Sequence, residues 1–144
     1  MSENDTERLL RECDAGTRMA AGSIRNLLCK VENAEMRELL CDTLKTHEKL
    51  GNDIHAMLND AGEPAKEPSR MAQAMAKMKV EMKTMQEDAD HAVAEMLIDG
   101  CNMGIKKLSE YINTYETAEK EAKDIAKRLV DAEQGLMDKL RLYL

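Results

Sequence analysis

The stretch Leu10-Arg-Glu-Cys-Asp14-Ala-Gly-Thr17-Arg-Met-Ala-Ala21-Gly-Ser-Ile24-Arg-Asn-Leu-Leu28 decides the fold. Leu10, Asp14, Thr17, Ala21, Ile24 and Leu28 follow one another in steps of three and four, the spacing of one face of an α-helix. Every member of that stripe is small or apolar except Asp14. A carboxylate on a core-facing stripe needs a reason, because burying an unpaired charge is costly.

The same placement occurs four times. Glu48 lies 34 residues after Asp14, and Glu133 lies 34 after Asp99. The first pair is centred on residue 31, beside an expected turn at Lys30-Val31-Glu32-Asn33, and the second on residue 116, beside an expected turn at Asn113-Thr114-Tyr115-Glu116. Residues equidistant from the turn of an antiparallel hairpin lie at one depth. Two hairpins would therefore carry four carboxylates at similar depths.

The rest of the chain fits this plan. Helix 1 is expected over Glu3–Lys30, and helix 2 over Asn33–Asn59 with Asn33 as its cap. The second stripe reads Leu40, Leu44, then His47 or Glu48, Gly51, Ile54 and Leu58. Asp60-Ala-Gly-Glu-Pro-Ala-Lys-Glu-Pro68 is the one Pro/Gly-rich break and marks a connection. After it come Met71, Met75, Met78, Met82 and Met85, again in steps of four and three, and the register continues to Asp99 and Met103. A long third helix to about Tyr111, with Gly100 and Gly104 as bending points, is expected, followed by a fourth from about Glu116 to the C-terminus. Asn113 and Glu116 have capping-box spacing. The halves form an internal repeat at an offset of 85: Asp14 falls on Asp99, Leu27 on Ile112, Leu40 on Ile125, Leu44 on Leu129 and Glu48 on Glu133.

Composition bounds the class. The chain of 144 residues has no Trp or Phe, three Tyr and twelve Met, and is rich in residues that lose little rotamer freedom in helices. That length makes one domain, residues 1–144: a hairpin over 3–59, the connection 60–68, and the Met-rich helix with the second hairpin over 69–144. A net charge of −7 argues against nucleic acid or an anionic membrane surface as a partner. No apolar run has the length of a bilayer span, and the acidic start Met1-Ser2-Glu3-Asn4-Asp5 lacks the regions of a signal peptide, so a cytoplasmic protein is expected. Cys13, Cys29, Cys41 and Cys101 form no Cys-x-x-Cys pair and read as small apolar side chains.

Two hairpins joined by a long crossover, with an inward acid on each helix, resemble the ferritin and rubrerythrin-like superfamily over nearly the whole chain. The resemblance implies an all-α, ferritin-like four-helix bundle with a Met-rich crossover or extended third helix. In that family one helix of each hairpin gives a carboxylate and the other a Glu-x-x-His pair, together holding two metals. Asp14 and Asp99 fall at the first kind of position, and Glu48 and Glu133 at the Glu of the second. The histidine positions would be 51 and 136, where this chain has Gly51 and Leu136. The chain is thus similar to degenerate bacterial members that lack the Glu-x-x-His motifs. An all-oxygen set suits a hard divalent cation better than a redox iron pair.

Two functions follow as expectations. The first is a non-catalytic structural or protein-interaction module that binds an unidentified protein and self-associates, as a homodimer, through its Met stripe. It needs no cofactor. The second is a metal-binding redox or storage protein, with Asp14, Glu48, Asp99 and Glu133 as ligands, His47 as an extra one, and Fe, Mn or another divalent ion as the metal. Its only enzymatic form would be a di-metal carboxylate oxidoreductase, since no nucleophile motif is present. Against the second stand the missing histidines and a local reading of each acid, such as Arg18 one turn beyond Asp14. His47, His55 and His91 read more readily as surface or hydrogen-bonded side chains than as ligands.

Overall fold

The structure, a computed structural model, describes residues 4–60 and 88–144. They form four helices: α1 (Asp5–Leu28), α2 (Ala34–Asp60), α3 (Ala89–Thr114) and α4 (Lys120–Leu140), with a final 3-10 turn at Arg141–Tyr143. This is the expected all-α bundle of two hairpins, α1–α2 and α3–α4. The Met heptad and the Pro/Gly-rich connection beyond Asp60 lie outside the described residues, so the expected extension of the third helix before Ala89 falls there too.

Local sequence explains the helix starts. Asn4 accepts from the Glu7 amide at 2.9 Å while the Glu7 carboxylate takes the Asn4 amide, a complete capping box. Asn33 caps α2 as expected, accepting from the Met36 amide at 2.9 Å. Asp88 does the same for α3 through the His91 amide. The second turn departs from expectation. Asn113 lies inside α3 and caps nothing, because α3 continues to Thr114 and α4 begins only at Lys120. Gly100 and Gly104 both lie within α3, which is continuous through them.

Two apolar clusters fill the bundle, one towards each end. The first joins Leu9, Leu10 and Cys13 of α1 with Leu50, Ile54 and Leu58 of α2, Leu108 of α3, and Ala122, Ile125 and Leu129 of α4. The second joins Ile24 and Leu27 with Met36, Leu40, Val93, Leu97, Cys101, Leu136 and Leu140. The start of α1 and the end of α2 meet in the first cluster, together with the end of α3 and the start of α4. Hence α2 and α3 run in the same direction, and the chain leaves α2 at one end of the bundle and enters α3 at the other. Packing such side chains away from water is the main favourable term holding the helices together.

Polar clasps tie each hairpin turn to the other hairpin. Asp5, at the start of α1, accepts from the amide and hydroxyl of Thr117, at 3.1 and 2.6 Å. Asp90, near the start of α3, accepts from the amides of Glu32 and Asn33, at 2.7 and 3.0 Å. Asp5 maps onto Asp90, and Glu32 onto Thr117, at the repeat offset of 85. The Thr117 bonds hold the Asp5 carboxyl below its usual range, the side-chain bond most strongly.

Candidate functional site

The four repeated acids do not come together. Asp14 is buried, at 2% exposure, and Glu133 is buried, at 9%. Glu48 and Asp99 are exposed. The Glu48 carboxylate pairs with Arg25 across the outside of the first hairpin, at 2.8 Å. His47, one residue earlier, takes the inward position in its place.

The reason is register. In the first hairpin a side chain at Gly51 would touch Thr17, and His55 lies 3.8 Å from Asp14. Both pairs are centred within half a residue of position 34, three residues beyond the centre that the acid spacing implies. In the second hairpin Gly104 faces Glu133, again more than two residues beyond the expected centre. The turns cause the shift. Lys30 and Val31 still bond back to Leu27 and Leu28, so the chain keeps rising past the end of α1 before it reverses. Tyr115 bonds back to Tyr111, and Ala118 to Tyr115, with the same effect. Moving the centre by three residues moves the partner of each residue by six, about 9 Å along a helix, so the two acids of a hairpin no longer lie at one depth.

What occupies the middle of the bundle is a polar layer between the two apolar clusters. Asp53 of α2 and Arg128 of α4 pair at 3.8 Å. Counting six residues from each towards the second cluster reaches His47 on α2 and the neighbour of Glu133 on α4, so His47 and Glu133 share a depth. One turn on from the Thr17–Gly51 contact lie Ala21 and His47. The layer is therefore Ala21, His47, Gly104 and Glu133, one residue from each helix, two polar and two small.

Burial disfavours the charged form of both polar members. The His47 ring nitrogen Nδ1 lies 3.0 Å from the Thr43 carbonyl oxygen. A carbonyl can only accept, so Nδ1 carries the proton and Nε2 keeps a lone pair. Burial lowers the His47 pKa, the Thr43 bond opposing this in part. Burial alone pushes the Glu133 carboxyl up to about 7. Among the described residues neither His47 Nε2 nor Glu133 Oε2 has a hydrogen-bond partner. Gly104 makes room for the acid: a methyl there would stand 2.9 Å from Cδ and Oε1 of Glu133, and closer still to Oε2. One turn away on α3, burial pushes the Cys101 thiol up to about 12, with Glu133 adding to the effect. Cys13 is pushed equally far by burial and by Glu12 and Asp14. Neither thiol is a nucleophile near neutral pH, since the thiolate is the reactive form.

Asp14 sits at a different kind of site, on the α1–α2 seam. One oxygen meets the Arg18 guanidinium at 2.6 Å, the local pairing its sequence position suggests, and the other faces His55. His91 pairs with Glu95 on the surface of α3. Among the described residues no three His, Cys, Asp or Glu side chains are grouped to hold a metal ion. The di-metal arrangement implied by the family resemblance does not fit donors spread over two buried sites and two exposed ones. The polar layer was hidden in the sequence because His47 and Glu48 compete for one stripe position, and only the register chooses between them.

The sequence matches no protein-family profile and no curated protein. The fold is similar to the crystal structure of a DUF305 fragment from Deinococcus radiodurans, with a TM-score of 0.74 and 15% identity, over 97% of this chain and 95% of that one. That likeness concerns the fold alone. It corrects the family expected from the sequence: the solved structure that the fold resembles is a DUF305 fragment, and DUF305 is distinct from the ferritin and rubrerythrin-like proteins.

Proposed function

We propose that the chain is a non-catalytic helical scaffold that works by binding protein, and that its first partner is a second copy of itself. The observation that carries this reading is the heptad Met71, Met75, Met78, Met82 and Met85. Unbranched, polarizable side chains repeated every three and four residues make an adaptable apolar seam for another helix. The reading is supported by the neighbourhood of the polar layer, where burial disfavours the charged forms of Glu133, His47 and Cys101. Cys13, Cys29, Cys41 and Cys101 are all free thiols, which suits a reducing compartment such as the cytoplasm. Among the described residues no helix is long and apolar enough to cross a membrane.

Light scattering on the full chain tests this. The wild type is expected to run as a dimer at micromolar concentration. The double variant Met75→Lys, Met82→Lys should run as a monomer with unchanged helical circular dichroism. A wild-type monomer, or a variant that stays dimeric, overturns the reading.

A further inference from the structure

The layer of Ala21, His47, Gly104 and Glu133 contains two polar atoms that the bundle leaves unmatched, and their characters are complementary. A protonated Glu133 carboxyl is a donor, and His47 Nε2 is an acceptor. Both side chains are more than nine-tenths buried, at one depth, on helices that pack against each other. The other two corners are the two smallest side chains that could stand there, and polar groups beside small residues are the setting in which internal water is retained. We propose that this layer is a proton-dependent latch: the closed bundle keeps one proton on Glu133 and leaves His47 Nε2 bare, so that losing that proton or gaining another loosens it.

Among the described residues the surroundings offer no other charge balance. From α1 the layer meets Ala21, and the nearest charges on that helix, Arg18 and Arg25, are already paired with Asp14 and Glu48. From α2 it meets His47, while the neighbouring Glu48 is exposed and bound to Arg25. From α3 it meets Gly104 and the neutral thiol of Cys101. On α4 itself, Asp131 is exposed and Arg128 pairs with Asp53. An ionised Glu133 or a doubly protonated His47 would thus be a buried charge facing neutral groups, a state relieved by letting water in.

The two groups act in opposite directions. Folded Glu133 keeps its proton to a pH of about 7, whereas the unfolded chain loses it near 4.5. Between these values the folded state binds more protons, so its stability falls as pH rises. His47 has a lowered pKa in the fold, whereas the unfolded chain takes up a proton near 6.5. Its contribution is present above 6.5 and is lost as pH falls below that value. In the wild type the two slopes oppose each other between about pH 5 and 6.5, and each variant should uncover the slope of the partner that remains.

The test is the melting temperature of the full chain from pH 5 to 8, for the wild type, Glu133→Gln and His47→Gln. Glu133→Gln should gain stability as pH rises. His47→Gln should lose it, by on the order of 10 °C across the range. Identical pH slopes in all three proteins would overturn the latch. Should either variant fail to fold, the side-chain carboxyl carbon of Glu133, followed by NMR in the folded wild type, decides the matter. A midpoint near neutrality supports the latch, and one near the ordinary value of 4.5 sinks it.

Discussion

Asp14 in the first hairpin and Glu133 in the second are both buried acids, yet they reach that state by opposite routes. Asp14 lies at the α1–α2 seam, where Arg18, itself one-third exposed, reaches in from the solvent side to meet it. Glu133 lies in the layer between the apolar clusters, where no cation among the described residues pairs with it and burial alone shifts its proton equilibrium. The first acid depends on a partner and the second on a proton. Whether a buried carboxylate needs a countercharge is thus decided by where its helix neighbours place it, since both acids occupy the same kind of stripe position in sequence.

The contrast is most exposed to attack at Arg18. Arg18→Ala removes the guanidinium 2.6 Å from the buried Asp14, and should cost about 3 kcal/mol of unfolding free energy, near the low end for breaking a buried pair because Arg18 is partly solvated. Urea denaturation at pH 7 measures it, and a loss below about 1 kcal/mol would remove the distinction between the two sites. The same amide substitution at both acids sharpens it. Asp14→Asn should destabilise at pH 8 by about 2 kcal/mol, because Arg18 then faces a neutral partner. Glu133→Gln should stabilise at pH 8 by about 2 kcal/mol and change little at pH 4.5, since the pKa shift is linked to roughly 3 kcal/mol over that span. Equal signs at pH 8 would mean that both acids are neutralised in the same way.

A pair of glycines gives the smallest effect. An added Cβ at Gly16 of α1, two residues from Asp14, meets nothing within 4 Å, so Gly16→Ala should raise stability by about 0.5–1 kcal/mol through helix propensity alone. Gly104→Ala offers the same propensity but drives a methyl into the Glu133 carboxyl, so it should show no gain. Thermal melts at pH 6 compare the two, and an equal gain would mean that Glu133 moves aside freely.

Much of this arrangement was legible in the sequence. The steps of three and four along each stripe predict all four helices, and the Asn33 cap and the Asp14–Arg18 pairing stand as the residues suggest. The site was not legible, because it depends on depth. Turn residues such as Lys30 and Val31 extend the helical rise, and a three-residue shift of the hairpin centre moves each pairing by about six residues, so Glu48 leaves the depth of Asp14; His47 holds the inward position instead, and Asp99 is exposed. Periodicity reports which face a residue shares with its own helix. It carries no record of how far two helices slide past each other, which packing and turn hydrogen bonds fix together.

The two clasps bear on how the bundle assembles. Asp5 meets Thr117 across 112 residues of chain, and Asp90 meets Glu32 across 58. Contacts so distant in sequence come late, after each hairpin has closed through its own nearby residues. Their loss should therefore fall mainly on the rate at which the native bundle opens, and hardly on the rate at which it forms. In kinetic terms Asp5 and Asp90 work as bolts, setting how long the two hairpins stay together once they have met.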